Sequence, residues 1–170
     1  MVSTCRSLAS CANNADETRT TATYDSHLQP LTVTEAAGDG SLSRSLTGTY
    51  DGIGNLLTID GALPGSADTT RYRYNAARQV VGIVEPDPDG LGSLPHQAVR
   101  TTYNVDGQPT LVERGTVASQ SDAAWAAFMP NAQVATTYDA NARKIAERTQ
   151  AGGTTFALTS YSYDARGRLE

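Results

Sequence analysis

The sequence is short of charge, of aromatic residues other than tyrosine, and of cysteine. Charged residues make up 18% of the 170, below the roughly 25% of an average soluble domain. The net charge is −5, so the chain repels phosphate overall, and a nucleic-acid interface built on a basic patch is excluded. No apolar run reaches the roughly 18 residues of a membrane-spanning helix. With 39% hydrophobic residues, the composition is too apolar for a charge-rich disordered tail. The N-terminus lacks the apolar core of a signal peptide. The two cysteines, Cys5 and Cys11, leave three readings open: free thiols, a disulfide closing a small loop, or metal ligation, for which further ligands are scarce. No cofactor is expected.

What the sequence does have is tyrosine, eight of its eleven aromatic residues. Six of these precede Asp or Asn: Tyr24-Asp25, Tyr50-Asp51, Tyr74-Asn75, Tyr103-Asn104, Tyr138-Asp139 and Tyr163-Asp164. The steps between them are 26, 24, 29, 35 and 25 residues. A recurrence of this length marks a repeat architecture. The residues before each tyrosine are strand formers, as in Val-Arg-Thr-Thr-Tyr (99–103) and Thr-Ser-Tyr-Ser-Tyr (159–163). The Asp or Asn after it opens an Asx-type turn. Gly54, Gly107 and Gly167 close three of the turns at the fourth position, a type I signature. Leu28, Arg78 and Ala142 stand there in the others, at about 1 kcal/mol each if the backbone is left-handed.

Each repeat therefore reads as a β-hairpin. Setting each tyrosine opposite the residue five later pairs Tyr74 with Gln79, Gly48 with Leu57, Ala22 with Leu31 and Val99 with Val112. Apolar side chains then collect on one face, and Thr23, Thr49, Arg71, Arg73, Thr102 and Thr137 on the other, as in a half-buried strand pair. The expected fold is all-β: stacked antiparallel hairpins in a curved open sheet. Residues 1–18 are expected to be irregular and residues 19–170 to hold six hairpins, with linkers at 85–96 and 115–131. Within the second linker Ser121 is a helix N-cap, Asp122 suits the first turn and Pro130 ends the run. A short helix is predicted over 122–129, with Trp125, Phe128 and Met129 forming one stripe on its own sheet. The chain breaks off at Arg168-Leu169-Glu170 where a strand begins, so a piece of something longer is expected.

The motif resembles the YD repeat of the RHS (rearrangement hot spot) family, Tyr-Asp-x-x-Gly-Arg-Leu. Tyr163-Asp164-Ala165-Arg166-Gly167-Arg168-Leu169 matches it throughout. Tyr50-Asp51-Gly52-Ile53-Gly54-Asn55-Leu56 has Asn for Arg, and Tyr103-Asn104-Val105-Asp106-Gly107-Gln108-Pro109 is looser. The three repeats without glycine keep Gln29, Gln79 and Arg143 at the next position. The resemblance covers about residues 20–170. It implies a wall of β-hairpins, as in RHS proteins and the similar teneurins and Tc-toxin C components. In bacterial RHS members such a shell encloses a C-terminal toxin domain. The implied partners are further repeats and a cargo domain of the same parent chain, and the implied setting is secreted or cell-surface. The alternative is a module binding a glycan or a cell-surface protein.

Candidate chemistry is sparse. Glu85, Asp87 and Asp89 before Gly90 resemble the start of a calcium loop, but His96 stands at its twelfth position and two prolines stiffen it. An acidic linker is the competing reading. His27 and His96 lie in a turn and a linker with no nucleophile placed beside them. No catalytic residue is assigned, and the chain is not expected to be an enzyme.

Overall fold

The computed structural model describes residues 2–5, 13, 15–90 and 92–170. Cys11 and the Cys5 side chain lie outside the described residues, and so do the readings of the thiols. The chain divides into two compact units, Met1–Arg71 and Tyr72–Glu170.

The first unit holds strands β1 (Val2–Cys5), β2 (Glu17–Tyr24), β3 (Pro30–Ala37), β4 (Ser43–Tyr50) and β5 (Leu56–Asp60), and the start of β6 (Thr70–Tyr74). Each strand pairs antiparallel with the next. The second unit holds the rest of β6, then β7 (Val80–Val84), β8 (His96–Tyr103), β9 (Pro109–Val117), helix α1 (Asp122–Ala126), β10 (Met129–Tyr138), β11 (Lys144–Ala151) and β12 (Thr154–Ser160). From β7 onward these strands also pair antiparallel in chain order. The fold is the expected all-β hairpin array with one short helix.

Four details correct the sequence reading. Residues 1–18 are not wholly irregular, because Val2–Cys5 pairs with Glu17–Thr20. The hairpin register is displaced by two residues. Ala22 faces Val33, Gly48 faces Ile59 and Val99 faces Arg114. Tyr24, Tyr50, Tyr103, Tyr138 and Tyr163 instead lie opposite the residue six later, as in Tyr50 with Leu56. The ladder then skips one residue (Leu31, Leu57, Thr110 or Ile145), which is a β-bulge. A two-residue displacement keeps every side chain on its assigned face.

The helix is shorter than predicted, Asp122–Ala126 rather than 122–129. Ser121 caps it by accepting from the Ala124 N–H at 3.1 Å, and Ala127 ends it. Met129 has already joined β10 opposite Thr116 and is 65% exposed, so it drops out of the stripe.

The buried cluster also lies on the face assigned to polar residues. Val84, Ala98, Val117 and Phe128 are buried, with Ala124 and Trp125 packed against them. Cross-strand pairing puts Val84, Ala98 and Val117 on one face with Gly82, Arg100, Glu113 and Gly115. Val99 and Val112, expected on the apolar face, point the other way together with Ile83, and all three are half-buried. The reason is steric. A Cβ at Gly82 would lie 2.6 Å from Trp125 Cζ2, and one at Gly115 would collide with the Met129 carbonyl. These two glycines open a seat that the segment after β9 fills, and burying Phe128 there is worth about 2–3 kcal/mol.

Polar groups complete this lid. Arg73, its side chain 11% exposed, donates to the Gln120 carbonyl and to Asp122, both at 2.9 Å. Its guanidinium lies 5.1 Å from the centroid of the Trp125 ring. Arg100 lies 4.5 Å from the centroid of the Phe128 ring and grips Glu113 through two hydrogen bonds, at 2.7 and 3.0 Å. Those bonds raise the Arg100 pKa above its usual value, against the opposing effect of burial.

Candidate functional site

The six tyrosine motifs fold into one turn. In each, the N–H of the residue four after the tyrosine donates to the carbonyl of the Asp or Asn. The N–H of that Asp or Asn donates to the carbonyl five after the tyrosine. The pairs run from Leu28 to Asp25 and Asp25 to Gln29 through to Gly167 to Asp164 and Asp164 to Arg168. The Oδ1 of the Asp or Asn accepts two further N–H groups, three and five after the tyrosine. For Asp25 these are His27 and Gln29, at 2.8 and 2.9 Å, and for Asp164 they are Arg166 and Arg168, both at 2.9 Å. Asp51, Asn75, Asn104 and Asp139 repeat the arrangement. One side-chain oxygen thus satisfies two turn donors, which is why a short side chain with a carbonyl or carboxylate oxygen stands there.

The fourth position is left-handed in all six turns. It has φ of 88°, 81° and 77° at Gly54, Gly107 and Gly167, and 63°, 62° and 62° at Leu28, Arg78 and Ala142. The last three hold the strain that the sequence made conditional.

The fifth position joins one hairpin to the next. Gln29 Nε2 donates to the Gly54 carbonyl at 3.1 Å, Gln79 Nε2 to that of Gly107 at 3.4 Å and Gln108 Nε2 to that of Ala142 at 2.7 Å. In each case the acceptor is the left-handed residue of the following turn. Where the motif carries Asn, its Nδ2 donates to the Gln Oε1, at 2.7 Å for Asn75–Gln79 and 3.1 Å for Asn104–Gln108. That contact turns the glutamine Nε2 outward. Where the motif carries Asp followed by Arg, Oδ2 accepts from Arg Nε, at 2.8 Å for Asp139–Arg143 and 2.7 Å for Asp164–Arg168, while Asp51 Oδ2 accepts from Asn55 Nδ2 at 2.8 Å. The Arg143 guanidinium then lies 4.5 Å from the centroid of the Tyr163 ring of the next motif.

The tyrosine hydroxyl closes the joint from the other side. Tyr50 donates to the Pro30 carbonyl at 3.1 Å, Tyr103 to Val80 at 2.9 Å, Tyr138 to Pro109 at 3.1 Å and Tyr163 to Lys144 at 2.7 Å. Every acceptor is the residue six after the preceding tyrosine. At these four joints neighbouring repeats are fastened twice, forward by the fifth-position side chain and backward by the hydroxyl.

The turn carboxylates respond to this environment. The backbone N–H of Asn55 lowers the Asp51 pKa, the Arg143 side chain lowers that of Asp139, and the backbone N–H of Arg168 lowers that of Asp164. The hydrogen bond that Lys144 donates to Glu147 raises the Lys144 pKa.

The structure places the motif Asp, Asn and Gly residues in these turns, and the tyrosines at the strand ends or bridge that lead into them. It does not bring Glu85, Asp87 and Asp89 together as ligands. Asp87 accepts from the Asp89 N–H at 3.2 Å, and Asp89 accepts from the Leu94 N–H at 3.1 Å. Among the described residues no group of three or more His, Cys, Asp or Glu side chains is placed to hold a metal ion. His27 is 81% exposed, whereas His96 is 14% exposed, opens β8 and bonds the Glu85 carbonyl through Nδ1 at 2.8 Å. The sequence reading noted Gln29, Gln79 and Arg143 only as long polar residues. Their place one after the turn was the available signal for an inter-repeat role.

Among solved structures the chain is similar to the crystal structure of TcdB2-TccC3-TEV, at 17% identity and a TM-score of 0.66, over 92% of this chain and 7% of that one. It is similar also to that of TcdB2-TccC3-Cdc42, at 15% identity and a TM-score of 0.51, over 92% of this chain and 9% of the other. No protein-family profile and no curated protein sequence matches the chain. The structural likeness shows the fold, an all-β array of antiparallel hairpins such as the motif implied. The chain spans less than a tenth of the length of each of these two structures.

Proposed function

We propose that the chain is a wall segment of an RHS-like shell that encloses a cargo domain of the same parent protein, in a secreted or cell-surface setting. The observation that carries this reading is the double fastening between repeats. Its hydroxyl bond has the same donor and acceptor positions at all four joints described, so its stability accumulates through nearest-neighbour terms. A chemical role would concentrate unusual groups at one place, and here the chemistry is spread evenly along the turns. The part played is containment, and the residues that perform it are the motif tyrosines, the turn Asp and Asn, and the fifth-position side chains. The resemblance to RHS and Tc-toxin C repeats supports the cargo, and the fold likeness to TcdB2-TccC3 supports the hairpin wall.

Limited proteolysis of the parent protein tests it. The domain beyond the repeats should stay intact in the assembled protein and be digested when produced alone. Equal digestion rates would overturn containment. Specific micromolar binding of this chain on a glycan array would favour the binding-module alternative.

A further inference from the structure

We propose that the two compact units open separately, the Met1–Arg71 unit giving way while the Tyr72–Glu170 unit stays folded. The inference stands apart from the shell reading and rests on where apolar burial is found. Among the described residues every fully buried apolar side chain lies in the second unit: Val84 at 0% exposure, Val117 at 1%, Ala98 at 3% and Phe128 at 7%. The buried side chains of the first unit are polar, namely Glu17 at 2%, Asn55 at 8% and Thr69 at 8%, whereas the second unit has Glu113 at 6% beside its apolar cluster. Burial of apolar area drives folding, whereas burial of a polar group at best recovers its desolvation cost through hydrogen bonds.

The second unit is closed by its lid as well. Arg73 is tied to Gln120 and Asp122 across 47 and 49 residues of chain, and Trp125 lies against Gly82. Segments with few buried apolar contacts open at lower free energy than the core around them. The hairpin turns are alike in both units, so the difference arises from what covers the strands.

Hydrogen exchange of the whole chain, followed by mass spectrometry across a urea series below the global transition, tests this. Peptides from β2 to β5 are expected to exchange about 100-fold faster than peptides from β7 to β9, with a weaker urea dependence. Two variants separate the units. Leu28→Gly, which relieves a φ of 63°, should slow exchange in residues 18–37 and leave residues 80–117 unchanged. Val84→Ala should speed exchange in residues 80–117 and leave residues 18–37 unchanged. One common rate and urea slope for both units, or either variant acting on both together, would overturn the proposal.

Discussion

The hydroxyl of Tyr103 donates to the carbonyl of Val80 at 2.9 Å across 23 residues of chain. It does so from the strand that follows, onto the residue six after the preceding motif tyrosine. The same bond recurs at Tyr50, Tyr138 and Tyr163. A residue that marks a hairpin corner in the sequence therefore marks a joint between hairpins in the fold.

Tyr103→Phe removes one hydroxyl and keeps the ring. The expected cost is about 1 kcal/mol, the usual net worth of one hydrogen bond. Urea denaturation should show a lower midpoint with an unchanged slope. No measurable shift would mean that water replaces the hydroxyl without loss.

Gly82→Ala puts a methyl group against Trp125 and should cost about 1–3 kcal/mol. Because Trp125 is the single tryptophan, its fluorescence reports the displacement as a red shift. Combined with Trp125→Ala, the glycine substitution should lose most of its effect, since the obstruction is gone. Additive costs would place the strain elsewhere.

Ala142→Gly replaces a side chain held at φ 62°. Relief of the left-handed backbone outweighs the added freedom of glycine in the unfolded chain, for a gain of up to about 1 kcal/mol. Thermal melting should register a higher midpoint. The same change at a right-handed control position, Ala140→Gly, should destabilise.

Asp139 has its pKa lowered by the Arg143 side chain and by backbone N–H groups. A carboxylate with a depressed folded-state pKa stabilises the fold above its unfolded-state value. That stability is lost as pH falls through the folded-state value. Asp51 and Asp164 share the direction. Urea midpoints should therefore hold steady near neutrality and decline below about pH 4. Asp139→Asn keeps the Oδ1 acceptor, as Asn75 and Asn104 do naturally. It should leave the turn formed and make the acid decline shallower; an identical decline would remove Asp139 from the effect.

The turns were legible because Asp, Asn and Gly at fixed offsets have few uses other than this geometry. The two-residue error in register has two halves: the tyrosine lies opposite the residue six later rather than five, and the adjoining bulge skips one more. Leu31, Leu57, Thr110 and Ile145 are skipped there although nothing in their side chains prescribes it. The face of the core was misread because Ile83, Val99 and Val112 outweigh Gly82 and Gly115 in any apolar pattern. Glycines inside strands signal close approach by another part of the chain, and these two seat Trp125, Phe128 and the Met129 backbone. Met129 was assigned to the helix because its spacing fits, but pairing with Thr116 claims it for β10.

The joints also have a direction. At each hydroxyl contact the later hairpin brings the donor and the earlier one already holds the acceptor. A hairpin leaving the ribosome thus meets a finished edge displaying the carbonyl that its own tyrosine needs. The array can be laid down course by course in the order of synthesis, each course setting the register of the next before any distant part of the chain exists.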